Sequence, residues 1–208
     1  MGSVGKSSSF FHDKSYAETR DWFNEHSNYS EWVDAMEDAE DPVDSIYNYT
    51  GEHYSSINHY LRTGNFVKPD KYFEQSKADR EISELDYAIS SFTLSSPIQV
   101  YRASDTSIFG EKNLSYEQLR SFIGRKVTDK GYMSTSLLKS LPGEQTVGGN
   151  VTYVVDVPSG KGVGAYISKF SENSQEREFL IKRNGGYTVR DVQRDKDGHI
   201  TVYMKLLK

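Results

Sequence analysis

The sequence predicts an α+β protein that is helical in its first half and a β-sheet structure in its second half. Apolar residues of the first half recur at steps of three and four, which is the spacing of one helix face. The second half consists of short β-rich runs with turn residues between them. Charge divides at the same point, because residues 1–95 carry 8 basic and 18 acidic side chains and residues 96–208 carry 17 and 12.

Four helices are predicted before residue 95. Two short ones cover about residues 16–26 and 29–40. A third has its apolar face at positions between 43 and 61, and we expect Gly51 to interrupt or restart it. A fourth has apolar residues at the same spacing between 78 and 92.

Seven strands and one helix are predicted after residue 96. We expect the run Asp195-Lys-Asp-Gly198 to form the hairpin turn between the last two strands. The predicted helix covers residues 116–123. The predicted strands are residues 98–102, 131–136, 151–157, 164–168, 177–182, 187–194 and 199–207.

Composition excludes several classes of protein. The 208 residues, 36% of them hydrophobic, suffice for one or two domains. The absence of cysteine excludes thiolate nucleophiles, disulfides and Cys-ligated zinc. A formal net charge of −5 argues against nucleic acid as the principal partner, and no apolar run approaches the roughly 20 residues that span a bilayer.

Searches for metal, dinucleotide and targeting motifs give negative predictions. His53 and His59 are six residues apart without a Glu-x-x-His frame, so both are predicted to be exposed helix residues and no metal site is predicted. The glycines at 160–164 are interpreted as a turn, because no helix that could receive a pyrophosphate follows them. Residues 1–10 lack the apolar core of a secretory signal and are predicted to be a flexible lead-in.

Three sets of polar residues lie at predicted strand edges in the second half. Arg102 ends the first strand, Ser-Thr-Ser at 134–136 follows 32 residues later, and Glu176 comes 42 residues after Ser134, with Glu178 two residues beyond it. Taken singly, such residues are usually surface salt bridges, solvated strand edges or exposed sheet positions. Their order along the chain is more specific than any one of them.

Together these residues resemble the mono-ADP-ribosyltransferase family, in the branch with an Arg, Ser-Thr-Ser and Glu-x-Glu signature that bacterial exotoxins and vertebrate ecto-enzymes share. The run YTGEHYSSINHYLR at 49–62 is similar to the helix that precedes the catalytic core in that family. The resemblance covers about residues 12–208. It implies one catalytic domain, residues 11–208, in which a helical lobe (about 12–95) packs on a two-sheet mixed β core (about 96–208).

The resemblance also implies a role for each matching residue, with NAD as the co-substrate in a cleft of the β core. Glu178 would stabilise the cation that develops on the ribose, and Ser134 would orient Glu178. The guanidinium of Arg102 would bind the pyrophosphate. The residues implied to bind NAD are Arg102, Tyr54, Asn58, Ser134, Thr135 and Ser136.

Glu176 corresponds to the position that selects the acceptor in this resemblance, which implies an arginine of a protein substrate because a guanidinium needs an anionic partner. Glu176 and Glu178 would share a strand face if the strand has begun at 176. Phe170, in the polar stretch before this pair, would touch the protein substrate; a ring tucked under the loop is an equal alternative. The loop 137–150 lacks the Phe and Arg of many toxin relatives, which leaves Lys139 as a candidate phosphate partner.

The expected function is transfer of ADP-ribose from NAD to an arginine of a target protein, with actin and small GTPases as candidate targets and no metal. The expected setting is a secreted or translocated bacterial effector, associated with a translocation component or with further toxin domains. Two alternatives stay open at this stage. One is an NAD glycohydrolase that uses water as acceptor, and the other is a non-catalytic binding module on the same fold.

Overall fold

The computed structural model describes residues 10–11, 13–139 and 151–208. Five helices precede the first strand within this part of the chain, and a π-helical turn, Tyr49–His53, joins the third helix to the fourth. The helices are α1 (Tyr16–His26), α2 (Tyr29–Ala39), α3 (Asp41–Asn48), α4 (Tyr54–Thr63), α5 (Gln75–Ser91) and α6 (Tyr116–Arg120).

The strands alternate with short turns after residue 92. Two 3₁₀ turns, Ser107–Phe109 and Ser174–Glu176, lie among them. The strands are β1 (Thr93–Leu94), β2 (Ile98–Ser104), β3 (Lys126–Asp129), β4 (Met133–Ser136), β5 (Val151–Val157), β6 (Gly160–Lys161), β7 (Gly164–Tyr166), β8 (Glu178–Ile181), β9 (Gly185–Arg194) and β10 (Ile200–Leu206).

Helix ends follow from local chemistry. Ser15 begins α1 with a capping box, in which its hydroxyl accepts from the Glu18 amide and the Glu18 carboxylate accepts from the Ser15 amide. The chain reverses between α2 and α3 at Glu40, which has φ 58°, and Pro42 lies in the first turn of α3, where its missing N–H costs nothing. The predicted break at Gly51 is confirmed, because Gly51 lies in the π-helical turn.

The β core is mixed and divides into two parts. Eight strands follow the order β3-β9-β10-β5-β2-β4-β8-β7, in which β10 and β5 are parallel and the other neighbours are antiparallel. Strands β2 and β4 pair only at Tyr101 and Ser136, so five strands on one side meet three strands on the other at a single residue pair. The expected helical lobe and mixed β core are confirmed.

The predicted hairpin turn at 195–198 is also confirmed, since it joins β9 to β10.

Aromatic packing fixes the helical lobe on the three-strand part. The ring of Phe23 on α1 stacks on Tyr166 of β7 at 4.3 Å between centroids and lies 6.3 Å from Phe179 of β8. On α2, the indole N–H of Trp32 donates to the Ala88 carbonyl at 2.8 Å, which ties α2 to α5. The lobe therefore rests on the strand whose first residue is Glu178.

Sequence reasoning missed three short strands and misplaced one histidine. Strands β1, β3 and β6 have two to four residues, too few to show a period of two. The prediction that His53 is exposed is wrong, because His53 is buried, with Nδ1 2.9 Å from Glu81 Oε2 and its ring stacked on Phe73. The buried carboxylate of Glu81 on α5 is a hydrogen-bond partner for the His53 ring, which allows the ring to be buried although apolar spacing predicts an exposed position.

The described residues form neither a membrane-spanning helix nor a metal-binding cluster. They contain no helix long and apolar enough to cross a membrane. They also contain no group of three or more histidine, aspartate or glutamate side chains placed to hold a metal ion. The predicted lead-in, residues 1–10, lies outside the described residues except for Phe10.

Replacing Phe23 by alanine should lower the free energy of unfolding by about 3–5 kcal/mol, because a fully buried ring leaves a cavity that its neighbours cannot fill. Urea denaturation followed by circular dichroism measures the change. Tyr72, which is 75% exposed, is the matched control, and Tyr72→Ala should change the free energy by less than about 0.5 kcal/mol. Equal losses in the two variants would contradict this account of the interface between lobe and sheet.

Candidate active site

Neighbouring strands bring the three separated polar sets together. Strand β4 lies between β2 and β8, and its Ser136 pairs with Tyr101 on one side and Glu178 on the other. The guanidinium of Arg102 donates to the carbonyl of Ser134 at 2.7 Å. Residues that are 32 and 42 positions apart in the sequence therefore meet at one place in the β core, as their order along the chain predicted.

Glu178 is a buried carboxylate with one open acceptor. Only 4% of the residue is exposed, and its Oε1 has no hydrogen-bond partner among the described residues. Burial raises the pKa of Glu178 to about 7; a hydrogen bond from Ser134 and the positive charge of Arg102 lower it, and the negative charge of Glu176 raises it. An unpartnered buried oxygen is unfavourable, and Oε1 keeps an unused capacity to accept a hydrogen bond.

Tyr49 belongs to the same hydrogen-bond network, although sequence reasoning did not select it as a site residue. Its hydroxyl is 3.4 Å from the Ser134 hydroxyl and accepts from the Asn58 amide at 2.9 Å. Burial raises the pKa of Tyr49 to about 12, so the phenol is neutral at physiological pH. The network Asn58–Tyr49–Ser134–Glu178 thus connects α4 to the start of β8.

The π-helical turn explains why the sequence indicated Tyr54 instead. Nine residues separate Tyr49 from Asn58, about two and a half turns of a continuous α-helix, which would put them on opposite faces. The wider π-helical turn changes the phase and brings both to one face. Tyr54, one α-helical turn before Asn58, is 51% exposed, and its expected place in the NAD cleft stays a prediction.

Asn58, Thr135 and Ser136 act as supports rather than as open ligand groups. Asn58 is buried, and its oxygen accepts from the Tyr132 amide at 2.8 Å. The Thr135 hydroxyl donates to the Phe179 carbonyl, and the Ser136 hydroxyl donates to the Glu176 carbonyl at 2.7 Å. These contacts hold α4, β8 and the turn before β8 in place, and the expected contacts of the three side chains with NAD stay predictions.

A polar pocket opens beside Arg102. It encloses about 330 Å³, part of it open solvent. Arg62 reaches it from α4 and forms a two-point ion pair with Asp129 of β3, both contacts being 2.8 Å. Sequence reasoning did not select Arg62, although it ends the run at 49–62 and lies one helical turn after Asn58. The pocket is lined by Arg62, Arg102, Ser104, Asp105, Ser107, Ile108, Asp129, Met133 and Tyr153.

The model of one known protein family matches most of the chain. The model of the ADP-ribosyltransferase exoenzyme family matches residues 20–207. The chain belongs to that family. It is an exoenzyme-type ADP-ribosyltransferase, and NAD is the substrate of toxins of this kind.

Two solved toxin structures resemble this transferase over nearly their whole length. Plx2a, an ADP-ribosyltransferase toxin from Paenibacillus larvae, has a TM-score of 0.74 at 23% identity, with 95% of this chain and 98% of that chain covered. The C3 exoenzyme of Clostridium limosum has a TM-score of 0.72 at 20% identity, with 95% and 97% covered. At these identities the likeness concerns the fold.

One curated relative bears the name of a specific activity. The NAD(+)–arginine ADP-ribosyltransferase EFV of Enterococcus faecalis is 29% identical over 164 residues, which are 77% of this chain. The transferase described here spans 30% of the length of that relative.

The turn before β8 carries the second glutamate of the transferase. Glu176 ends the 3₁₀ turn, Arg177 follows with φ 48° and ψ 53°, and the strand begins at Glu178. The condition for the two glutamates to share a strand face, that the strand has begun at 176, is therefore not met. They remain close enough for the charge of Glu176 to raise the pKa of Glu178.

Phe170 lies beneath this turn. Only 7% of the residue is exposed, and its ring is 5.8 Å from that of Trp32 on α2. The prediction that Phe170 is exposed to a protein substrate is wrong, and the alternative of a ring tucked under the loop is confirmed. The exposed groups of the turn are polar, among them Glu172 and Gln175. The carboxylate of Glu172 lies against Gly51, so the segment that contains Glu172 contacts the π-helical turn.

The loop 137–150 lies mostly outside the described residues. Lys139 is exposed at the edge of the described part, and residues 140–150 are not described. The expected part of Lys139 in phosphate binding stays a prediction.

Replacing Glu178 by glutamine should remove a pH dependence of stability. The pKa of Glu178 is about 7 in the folded state and ordinarily 4.5, so its contribution to stability is fully present below pH 4.5 and is lost as pH rises to about 7. The free energy of unfolding of the native chain relative to Glu178→Gln should therefore fall by roughly 2–3 kcal/mol between pH 4.5 and pH 8.

Urea denaturation of both proteins across this pH range measures the effect. Glu25→Gln, at an exposed position on α1, is the control and should follow the native chain at every pH. A difference between the native chain and Glu178→Gln that does not vary with pH would show that Glu178 ionises normally in the folded state.

Proposed function

We propose that this protein transfers ADP-ribose from NAD to the side chain of an arginine in a target protein and releases nicotinamide. The observation that carries the proposal is the pair of carboxylates at the start of β8. Glu178 is buried with an open acceptor oxygen, and Glu176 lies two residues earlier in a turn that reaches the surface. The activity in the name of the Enterococcus faecalis relative supports the choice of arginine.

Glu178 supplies the charge that cleavage needs. When the bond from ribose to nicotinamide breaks, its electron pair leaves with nicotinamide and positive charge develops at the anomeric carbon. The Oε1 atom of Glu178 accepts a hydrogen bond from the ribose 2′-hydroxyl, and the interaction strengthens as that charge grows. Ser134 holds the carboxylate in place through its own hydrogen bond, and Tyr49 in turn positions Ser134.

The two arginines at the pocket bind the anionic part of NAD. Arg102 and Arg62 both line the pocket, and a guanidinium offers forked donors that suit a pyrophosphate. Arg62 is held toward the pocket by its ion pair with Asp129. Arg102 connects the two parts of the site, because it lines the pocket with Arg62 and its charge also acts on Glu178, which suits a ligand that carries phosphates at one end and a ribose hydroxyl at the other.

Glu176 selects the acceptor. An arginine guanidinium is protonated at physiological pH, so it must lose a proton as its nitrogen forms the bond to the anomeric carbon. A carboxylate beside it can hydrogen-bond the guanidinium and accept that proton. Glu176 meets this need because it is partly exposed and close to Glu178.

The wider setting is also a proposal. The target is a protein, with actin and small GTPases as the candidates to test first. BECa is the ADP-ribosylating toxin of a binary enterotoxin of C. perfringens, and its structure was determined with NADH. The structural match covers 94% of this chain but only 49% of BECa. A toxin delivered with further domains or with a separate translocation component accords with this partial coverage.

Glu178→Ala should lower nicotinamide release from NAD by roughly 10²–10³-fold, because loss of one electrostatic partner of the transition state has about that effect. Glu176→Gln should retain nicotinamide release within about tenfold and lose transfer to agmatine, a small guanidinium acceptor. Chromatography of nicotinamide and mass spectrometry of the agmatine adduct measure the two activities.

Glu172→Gln, an exposed position in the same turn, is the matched control and should keep both activities. Nicotinamide release by the native chain without any agmatine adduct would favour water as the acceptor. Equal loss of both activities in Glu176→Gln and Glu178→Ala would contradict the separate roles given to the two glutamates.

A further inference from the structure

Arg177, between the two glutamates, adopts a backbone conformation that is rare for its residue type. Its φ of 48° and ψ of 53° lie in the left-handed region, where non-glycine residues are strained. Such a conformation persists only where surrounding contacts determine it. The contacts of Arg177 therefore bear on how Glu176 and Glu178 are placed.

Backbone hydrogen bonds hold the three residues on the side of the β core. The Ser136 hydroxyl donates to the carbonyl of Glu176 at 2.7 Å, and the Leu137 amide donates to that of Arg177 at 3.2 Å. The Ile167 amide donates to the carbonyl of Glu178 at 3.1 Å. The β core thus fixes the carbonyl of each residue but makes no use of the Arg177 side chain in these bonds.

The Arg177 side chain is held from the opposite direction, by the start of the helical lobe. Its Nη1 donates to the Lys14 carbonyl, lies 3.4 Å from the Phe11 carbonyl and lies 3.3 Å from the Thr19 hydroxyl oxygen. Phe11 and Lys14 form a turn closed by a backbone hydrogen bond of 3.2 Å. One nitrogen of the guanidinium therefore faces three acceptors before and within α1.

Two of the three acceptor residues, Phe11 and Thr19, are buried. Phe11 is only 3% exposed and stacks on Phe23, which is part of the interface between α1 and the sheet. Thr19 is fully buried, and its hydroxyl donates to the Ser15 carbonyl, which leaves the oxygen free to accept from Arg177. Phe11 and Thr19 can thus support the guanidinium.

We propose that Arg177 is a positioning residue, whose guanidinium docks the Glu176–Glu178 turn onto Phe11, Lys14 and Thr19 and so sets the direction of both carboxylates. The inference rests on the proposed function only in assigning the reaction to Glu176 and Glu178. A misplacement of about 1 Å at a reacting group is enough to slow a reaction about 10²-fold, so loss of this support should be visible in the rate.

Arg177→Gly is the sharpest test, because glycine adopts the left-handed conformation without strain and removes only the docking side chain. We expect kcat for nicotinamide release to fall about 10–100-fold while KM for NAD changes by less than about threefold, since the pocket arginines are untouched. Arg177→Lys, which keeps the charge but not the planar guanidinium, should recover part of the rate. Arg20→Ala, on the exposed face of α1 and paired with Asp21, is the control and should match the native chain.

A readout independent of activity is amide hydrogen exchange. The amides of Leu137 and Ile167, which donate to the carbonyls of Arg177 and Glu178, should exchange at least about tenfold faster in Arg177→Gly than in the native chain or in Arg20→Ala. Wild-type kcat together with unchanged protection of these amides in Arg177→Gly would overturn the proposal. So would a fall in kcat that merely follows the loss of folded protein on thermal unfolding.

These outcomes are separate from the fate of the proposed function. If the native chain releases nicotinamide but forms no agmatine adduct, the arginine acceptor is wrong and the effect of Arg177→Gly on nicotinamide release still decides the role of Arg177. If the native chain releases no nicotinamide, the amide exchange of Leu137 and Ile167 decides it alone.

Discussion

The burial of one carboxylate governs the rest of this structure. Glu178 is taken out of water with an acceptor oxygen left open, and burial raises its pKa to about 7. Removing a carboxylate from water is costly unless neighbouring groups compensate, and only part of that compensation comes from Ser134 and Arg102. The fold must therefore supply enough packing elsewhere to keep the site closed. The aromatic interface of Phe23, Tyr166 and Phe179 lies directly behind β8 and meets that need.

The helical lobe does more than cover the sheet. It provides Tyr49 and Asn58 to the network that ends at Glu178, and Arg62 to the pocket beside Arg102. All three belong to one stretch of α4 and the π-helical turn before it. The π-helical turn changes the helical phase in this stretch, so that Tyr49, Asn58 and Arg62 all face the β core. The π-helical turn is therefore a feature of the site rather than a defect of the helix.

Much of the architecture follows from the sequence, and the exceptions have physical causes. Apolar spacing predicts the helices and long strands because each of them buries one regular face, and the order of Arg102, Ser134 and Glu178 predicts their meeting. The role of Tyr49 could not be predicted, since it depends on a π-helical turn that breaks the period. Phe170 and His53 show a second limit: periodicity does not reveal that Trp32 or Glu81, distant in sequence, will cover an apparently exposed side chain.

The same three residues, 176–178, combine like charges in proximity, a strained backbone and a buried acceptor without a partner. Each of these features destabilises the folded chain, and their coincidence marks the site more clearly than any single motif. Hydrogen bonds from two directions hold these residues. Ser136, Leu137 and Ile167 of the β core donate to their carbonyls, and the guanidinium of Arg177 donates to the Lys14 carbonyl just before α1. Because neither side alone fixes the direction of both carboxylates, the geometry of the site depends on the docking of the helical lobe on the sheet. That dependence gives a physical reason for a fold in which the strand that begins at Glu178 lies against the first helix of the described residues.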